Sequence, residues 1–384
     1  MFSFSKKTTV KLNLILDIKS SVVRGTLFLI KPAEIPYIVW TNTVEIPYKS
    51  GSDSAYLLNE AIKAVKKVAV EAHFYIHSVH LHEEIPKNIS VIHMVLSSPW
   101  ITSQARTINQ KFNIDTKISR SHIHDMIQAE RAKLISTDGL LVGIEEKIFD
   151  VRLNGYSVHK WEGNFAKTLE TSFAISMASK RVTKGFVEAC KEAGLHGARI
   201  DFHSSLLLQH IGLSKSLNIQ DPYVLVHAHG ELTDIVAANS QSCCVLFGSY
   251  PVGVGTIIRS LSSNLKISDL TADSTLTLYE TKQLDQLHGA SDIKAIVDAT
   301  SSWTEGLSNI LSVIPSNHQP LRAFISAHYH DGLFREIFNL AHPDIKIEML
   351  PHDKVMDLVR FEPLVEKLTT TIFYITAVQI LETF

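Results

Sequence analysis

The feature that most constrains the fold is a repeat. The stretch "LILDIKSSVVRGTLFL" has a counterpart in "VLVHAHGELTDIVAAN", and laying them together sets Asp17 opposite His227, 210 positions later. Each copy is an apolar strand that stops at a short polar turn and resumes as a second strand. In the first copy the strands read as "KLNLILDI" (11–18), "VVRGTLFLI" (22–30) and "YIVWTNTVEI" (37–46), with connections short enough for an antiparallel meander. A helix follows, capped by Asp53 or Ser54, with Leu58, Ala61, Ile62, Val65, Val68, Ala69 and Ala72 at helical spacing. Lys63, Lys66 and Lys67 lie off that stripe and read as a solvated face. In the second copy, 221–253 gives three strands with tight turns, and a helix begins near Val254. A chain that repeats strand, turn, strand, strand, helix is expected to build two similar lobes.

The segment between the copies has another rhythm. "ISVIHMVLSSPW" (89–100) is a strand stopped at Pro99, and "SQARTINQ" alternates like an exposed strand. "SRSHIHDMIQAERAK" (119–133) is a helix capped by Ser119 or Ser121. Asn154-Gly155 suits a type I′ hairpin turn, and "AKTLETSFAISMAS" (166–179) supplies the long partner strand. Strand, helix, strand, strand makes a small α+β module inserted into the first half. Trp100 is expected where that module meets its parent domain. The rest alternates helix with two more strands, "LRAFISA" and "DIKIEML", and a last helix runs from about Glu362 to the end.

Composition narrows the classes. The 384 residues are 45% hydrophobic and 20% charged, ordinary for a globular chain with a substantial core. A formal net charge of -2 gives no nucleic-acid footprint. Three cysteines (Cys190, Cys243, Cys244) form no even framework, which fits a reduced, cytoplasmic setting, and Cys243-Cys244 reads as core filler. "MFSFSKKTTV" is too short and polar for a signal peptide, and no apolar run approaches the ~20 residues of a membrane helix.

Two βββα lobes with a phosphate-type turn after each first strand resemble the actin/Hsp70/sugar-kinase superfamily. The inserted module narrows the likeness to the bacterial actin-like FtsA/PilM family, of cell division and type IV pilus assembly. "LSSPWITSQAR", "FDVRLNGYSV", "FAISMASKRV" and "GELTDIV" all resemble segments of that family, in order along the chain. The resemblance implies an α/β, actin-like (ribonuclease-H-like) two-lobed fold. It implies a first lobe from 8–100 and 181–220, an inserted module at 101–180 and a second lobe at 221–384. It also implies ATP with Mg²⁺ as cofactor, near Asp17, Lys19, Ser20 and Ser21 in the first turn and His227, His229, Gly230, Glu231, Thr233 and Asp234 in the second. The sequence departs from the family where it matters. Lys19 replaces a glycine, His227 a carboxylate and His229 a glycine, and Ala327, His328 and Tyr329 stand where small glycines hold adenosine.

The departures have chemical weight. Glycine lets backbone N–H groups approach phosphate. Mg²⁺ prefers carboxylates, water and phosphate oxygens, which an imidazole does not replace. Lys19 can contact a phosphate as a point charge. The plainer expectation for Lys19-Ser20-Ser21 is a solvated hairpin turn. Three readings follow: a scaffold of this family with ATP binding weakened or lost, a working ATPase, or a metal-dependent hydrolase. The last rests on the 19 histidines and on the His-x-His pairs at 80–82, 122–124, 227–229 and 328–330, the last two expected to converge. The segment "TTIFYITAVQILETF" has no lysine or arginine after Lys367. It therefore lacks the cationic face of a lipid-binding helix. Attachment through a membrane-associated division or pilus-assembly partner is expected rather than direct membrane insertion, with self-association as a further expectation. The edge strand at 103–110 and the cleft between the lobes are the docking candidates.

Overall fold

The computed structural model describes residues 10–31, 34–49, 53–78, 86–134, 139–216, 218–241, 243–284, 286–350, 357 and 359–361. The proposed last helix, His80 and His82 lie outside them. The chain divides into two compact units, one built on the described parts of 1–100, 180–217 and 350–384, the other on 101–179 with 218–349.

The first unit opens with β1 (Lys11–Ile18), β2 (Val22–Ile30) and β3 (Tyr37–Glu45), an antiparallel meander. α1 (Ser54–Ser78) follows, its first turn capped by Asp53, whose carboxylate accepts from Tyr56 N at 2.8 Å. Leu58, Ala61, Val65, Val68, Ala69 and Ala72 are buried, as their spacing requires, while Ile62 is half-buried. β4 (Ile89–Leu96) then pairs parallel with β1, and β9 (Arg199–Ser204) with β4. Between β4 and β9 the unit contributes α3 (Lys180–Glu192), which ends at Gly194 with φ 87° and packs beside α1. The short α4 (Ser205–Ile211) follows β9. β15 (Arg360–Phe361) adds to β3, completing the order β15-β3-β2-β1-β4-β9.

The second unit repeats this plan. β10 (Tyr223–Ala228), β11 (Thr233–Ala238) and β12 (Cys244–Tyr250) form the meander. β13 (Arg322–Ala327) pairs parallel with β10, and β14 (Lys346–Glu348) with β13. The order β12-β11-β10-β13-β14 matches β3-β2-β1-β4-β9 strand for strand. α5 (Val254–Leu265), α6 (Asp269–Glu280), α7 (Gln286–Ser312) and α8 (Asp331–Ala341) join it, and their apolar faces close a core around Trp303, Phe334 and Phe338.

The inserted residues form their own sheet, of β5 (Ile101–Lys117), β6 (Leu141–Leu153), β7 (Tyr156–Ser157) and β8 (Phe165–Ser179), ordered β5-β8-β6-β7. Its apolar face packs on α2 (Arg120–Leu134) through Ile123 and Ile127. Asn154 and Gly155 both take positive φ, 53° and 86°, as a type I′ turn demands. β5 runs beside β12. Among the described residues, no helix is long and apolar enough to cross a membrane.

Candidate functional site

The first turn joins β1 to β2. Lys19 N donates to Val22 O (2.9 Å), Ser97 N to Ile18 O (3.1 Å) and Ile46 N to Ser21 O (2.7 Å). This turn is not solvated: Asp17, Lys19 and Ser20 are 4%, 3% and 1% exposed. The lysine turns inward because Asp17 lies two residues back on the same face of the strand, its Oδ2 3.6 Å from Lys19 Nζ. Trp100 fixes the lysine backbone, its indole N–H donating to Lys19 O at 2.9 Å, while its ring meets Phe186 edge-on at 5.8 Å. Asp17 Oδ1, Ser21 Oγ and Ser97 Oγ are buried without a hydrogen-bond partner.

The second turn joins β10 to β11 with the same backbone bonds: His229 N donates to Leu232 O (2.7 Å) and His328 N to Ala228 O (2.9 Å). Both imidazoles are buried, their rings perpendicular with centroids 4.4 Å apart. His227 Nδ1 lies 2.5 Å from Ser326 Oγ, and His229 Nε2 lies 2.9 Å from Asp234 Oδ2. His229 Nδ1 is buried without a partner. Glu231 pairs with Arg259 on α5 (3.0 Å). Gly230 O accepts from Gly255 N at 2.6 Å. The start of α5 fits this closely because Gly253 has no Cβ; one there would stand 2.4 Å from His229 O. Thr233 Oγ1 donates to Val252 O (2.7 Å) and accepts from the Trp303 indole (2.9 Å).

The third element is the connection from β13 to α8. His330 takes the left-handed conformation at φ 60° and caps α8. Its ring is held between two carboxylates of α6, Nδ1 to Glu280 at 2.7 Å and Nε2 to Asp273 at 2.9 Å. Glu280 also accepts from Leu333 N at 3.0 Å, and Asp331 Oδ1 accepts from Ala327 N at 2.5 Å. The N-terminus of α8, where anions are favoured, is therefore covered by the chain's own carboxylates. Burial, outweighing its bonds to Ala327 N and Arg335, raises the Asp331 carboxyl above its usual range.

The described His-x-His pairs lie at 122–124, 227–229 and 328–330. His227, His229 and His330 each have a separate oxygen partner, and His328 meets Tyr329 edge-on with centroids 4.2 Å apart. His122 Nδ1 lies 2.9 Å from Ser119 Oγ. Among the described residues no three or more His, Cys, Asp or Glu are grouped to hold a metal ion. Cys243 and Cys244 are buried and edge a cavity of about 360 Å³ with Arg106, Arg152 and Glu170, and burial pushes the Cys243 thiol up to about 11. Sequence reasoning missed Ser326, Arg259, Glu280 and Asp273, which reach these turns from distant elements and leave no local spacing signal.

No family model matches the chain, and no curated protein matches it. Among solved structures, a chain of a PilM-PilN type IV pilus biogenesis complex superposes with TM-score 0.65 and 13% identity, over 97% of this chain and 98% of that one. The ethanolamine utilization protein EutJ from Carboxydothermus hydrogenoformans gives TM-score 0.46 and 9% identity, over 90% of this chain and 86% of its own. The activator of 2-hydroxyisocaproyl-CoA dehydratase from Clostridium difficile gives 0.37 and 9%, over 97% of each. The likeness is one of fold: the chain has the two-sheet actin-like fold with an inserted α+β sheet, similar to the pilus-complex chain.

Proposed function

We propose that this protein is an actin-fold scaffold of the type IV pilus-assembly or cell-division kind, acting through a membrane-associated partner and without turning over ATP. The observation that carries the loss of turnover is that the chain's own side chains fill all three turns: Lys19 against Asp17, His229 against Asp234, and Glu280 with His330 over the start of α8. Phosphoryl transfer depends on open positions for phosphate and Mg²⁺ and on carboxylates to orient them. An imidazole bonded to Ser326 stands at 227 and an ammonium at 19. In this reading Asp17, Lys19, Ser20, Ser21, His227, His229, Gly230, Glu231, Thr233 and Asp234 are the remnant of a nucleotide site. The lobes are 8–100 with 181–220, and 221–384, with 101–180 inserted, and the setting is the inner face of the cell membrane.

The partner class is taken from the pilus-complex likeness. A segment of a membrane-associated pilus-assembly protein is the proposed ligand. One candidate seat is the edge at 103–110: β5 is the outer strand of its own hydrogen-bonded sheet, and a partner strand would pair there by displacing the flank of β12 that runs beside it. Calorimetry with ATP, with and without Mg²⁺, tests the loss of nucleotide chemistry alongside a phosphate-release assay. No Mg²⁺-dependent binding and no turnover above background are expected. Turnover that disappears in Asp17→Ala would replace this reading with a working ATPase of the same fold.

A further inference from the structure

We propose that the outer face of α1 and α3 is a peripheral binding surface for an anionic lipid bilayer. The two helices lie side by side. A Cβ on Gly185 would stand 2.6 Å from Ile62 Cδ1, and Lys66 Nζ reaches Glu192 at 2.8 Å. Their apolar stripes, Val65 and Val68 on α1, Val182 and Phe186 on α3, are buried, so the opposite faces meet solvent. Together the helices carry seven lysine or arginine residues against four glutamates, a surplus of three positive charges on a chain whose formal net charge is -2.

The apolar residues on that face choose the occupant. Lys63, Lys67, Val70 and Phe74 follow one another at helical steps of four, three and four, on one side of α1. Val70 is 44% exposed and Phe74 70%. A single exposed apolar residue is ordinary. A valine and a phenylalanine continuing a lysine stripe form the pattern of a helix lying on a bilayer, with cations for the headgroups and an aromatic ring for the acyl boundary. An acidic protein segment would answer the lysines and leave Phe74 in water. In the pairs Lys63–Glu60 (2.6 Å) and Lys66–Glu192 (2.8 Å) both lysines are exposed to solvent, where such pairs are weak, so they do not withhold the lysines from a more concentrated negative surface. This surface is independent of the partner-mediated attachment proposed above, and it adds a direct contact with lipid to the expectation, drawn from the C-terminal segment alone, that attachment runs through a partner.

The test is co-sedimentation of the full chain with vesicles of phosphatidylglycerol and phosphatidylcholine in equal parts, and with phosphatidylcholine alone. Binding to the mixed vesicles only is expected, weakening as salt is raised. Lys63→Glu with Lys67→Glu, both surface changes, is expected to lower affinity at least about twentyfold, at about fivefold per basic residue near the surface. Phe74→Ser is expected to lower it severalfold with the salt dependence unchanged; circular dichroism checks that each variant is folded. Wild-type protein left in the supernatant with mixed vesicles overturns the proposal. So does sedimentation that survives the lysine changes but is lost when residues 373–384 are removed. Neither result touches the partner-mediated reading, because no partner is in the assay.

Discussion

The two units carry the same backbone and opposite chemistry. Asp17 faces Arg24 across β1 and β2, and the equivalent pair across β10 and β11 is His227 and Asp234. The turn bond from Lys19 N to Val22 O recurs as His229 N to Leu232 O, and the bond from Ser97 N to Ile18 O as His328 N to Ala228 O. Deeper in the sheets the contrast widens. Asn13 and His93 form a buried polar contact at 3.3 Å, where the second unit has Tyr223 and Phe324 packed edge-on at 5.8 Å. The repeat therefore resides in backbone pairing, which any side chain of suitable size satisfies. What sits on the pairing is free to differ, and the first unit keeps more polarity inside.

That difference can be tested first with acid, where the full loss between pH 6.5 and 3, about 5 kcal/mol, is the largest expected. Burial, then His203 and Arg199, lowers the His93 imidazole to about 3, against about 6.5 in an unfolded chain. Between those values the unfolded chain takes up the proton and the folded one does not. The contribution is thus complete above pH 6.5 and is lost as pH falls, at about 1.4 kcal/mol per pH unit. Hydrogen exchange between pH 7 and 5 should show β1 and β4 losing protection while β10 and β13 do not, and His93→Gln should flatten the difference. Equal loss in both units would break the comparison.

Next in size is the first turn. Lys19→Met strands the buried Asp17 carboxylate, whose second oxygen already has no partner, and should cost about 3–5 kcal/mol in urea unfolding. Asp234→Asn, the matching change in the second turn, weakens one bond to His229 and should cost about 1–3 kcal/mol. The reverse order would mean that the second turn, not the first, depends on its charges. The smallest effects should be nearly equal. Trp100→Phe and Trp303→Phe each remove one indole hydrogen bond at a turn, to Lys19 O and to Thr233 Oγ1, at about 1 kcal/mol apiece.

The sequence by itself determined the elements and their repeat. Alternation and helical spacing are local properties, and burial of one face enforces them, so the meanders, α1, the inserted strands and the Asn154-Gly155 turn were all legible. It also located the turns where the chemistry would have to be. Only the tertiary structure decided where their side chains go. Lys19 read as solvated because nothing nearby in sequence covers it, yet an indole 81 residues away meets its carbonyl. The carboxylate of Glu280 reaches His330 across 50 residues, and β15 is two residues whose strand conformation exists because β3 offers an open edge. Such contacts depend on the packing of whole elements, since hydrogen bonds and ion pairs between distant residues require convergence in space and leave no period in the chain.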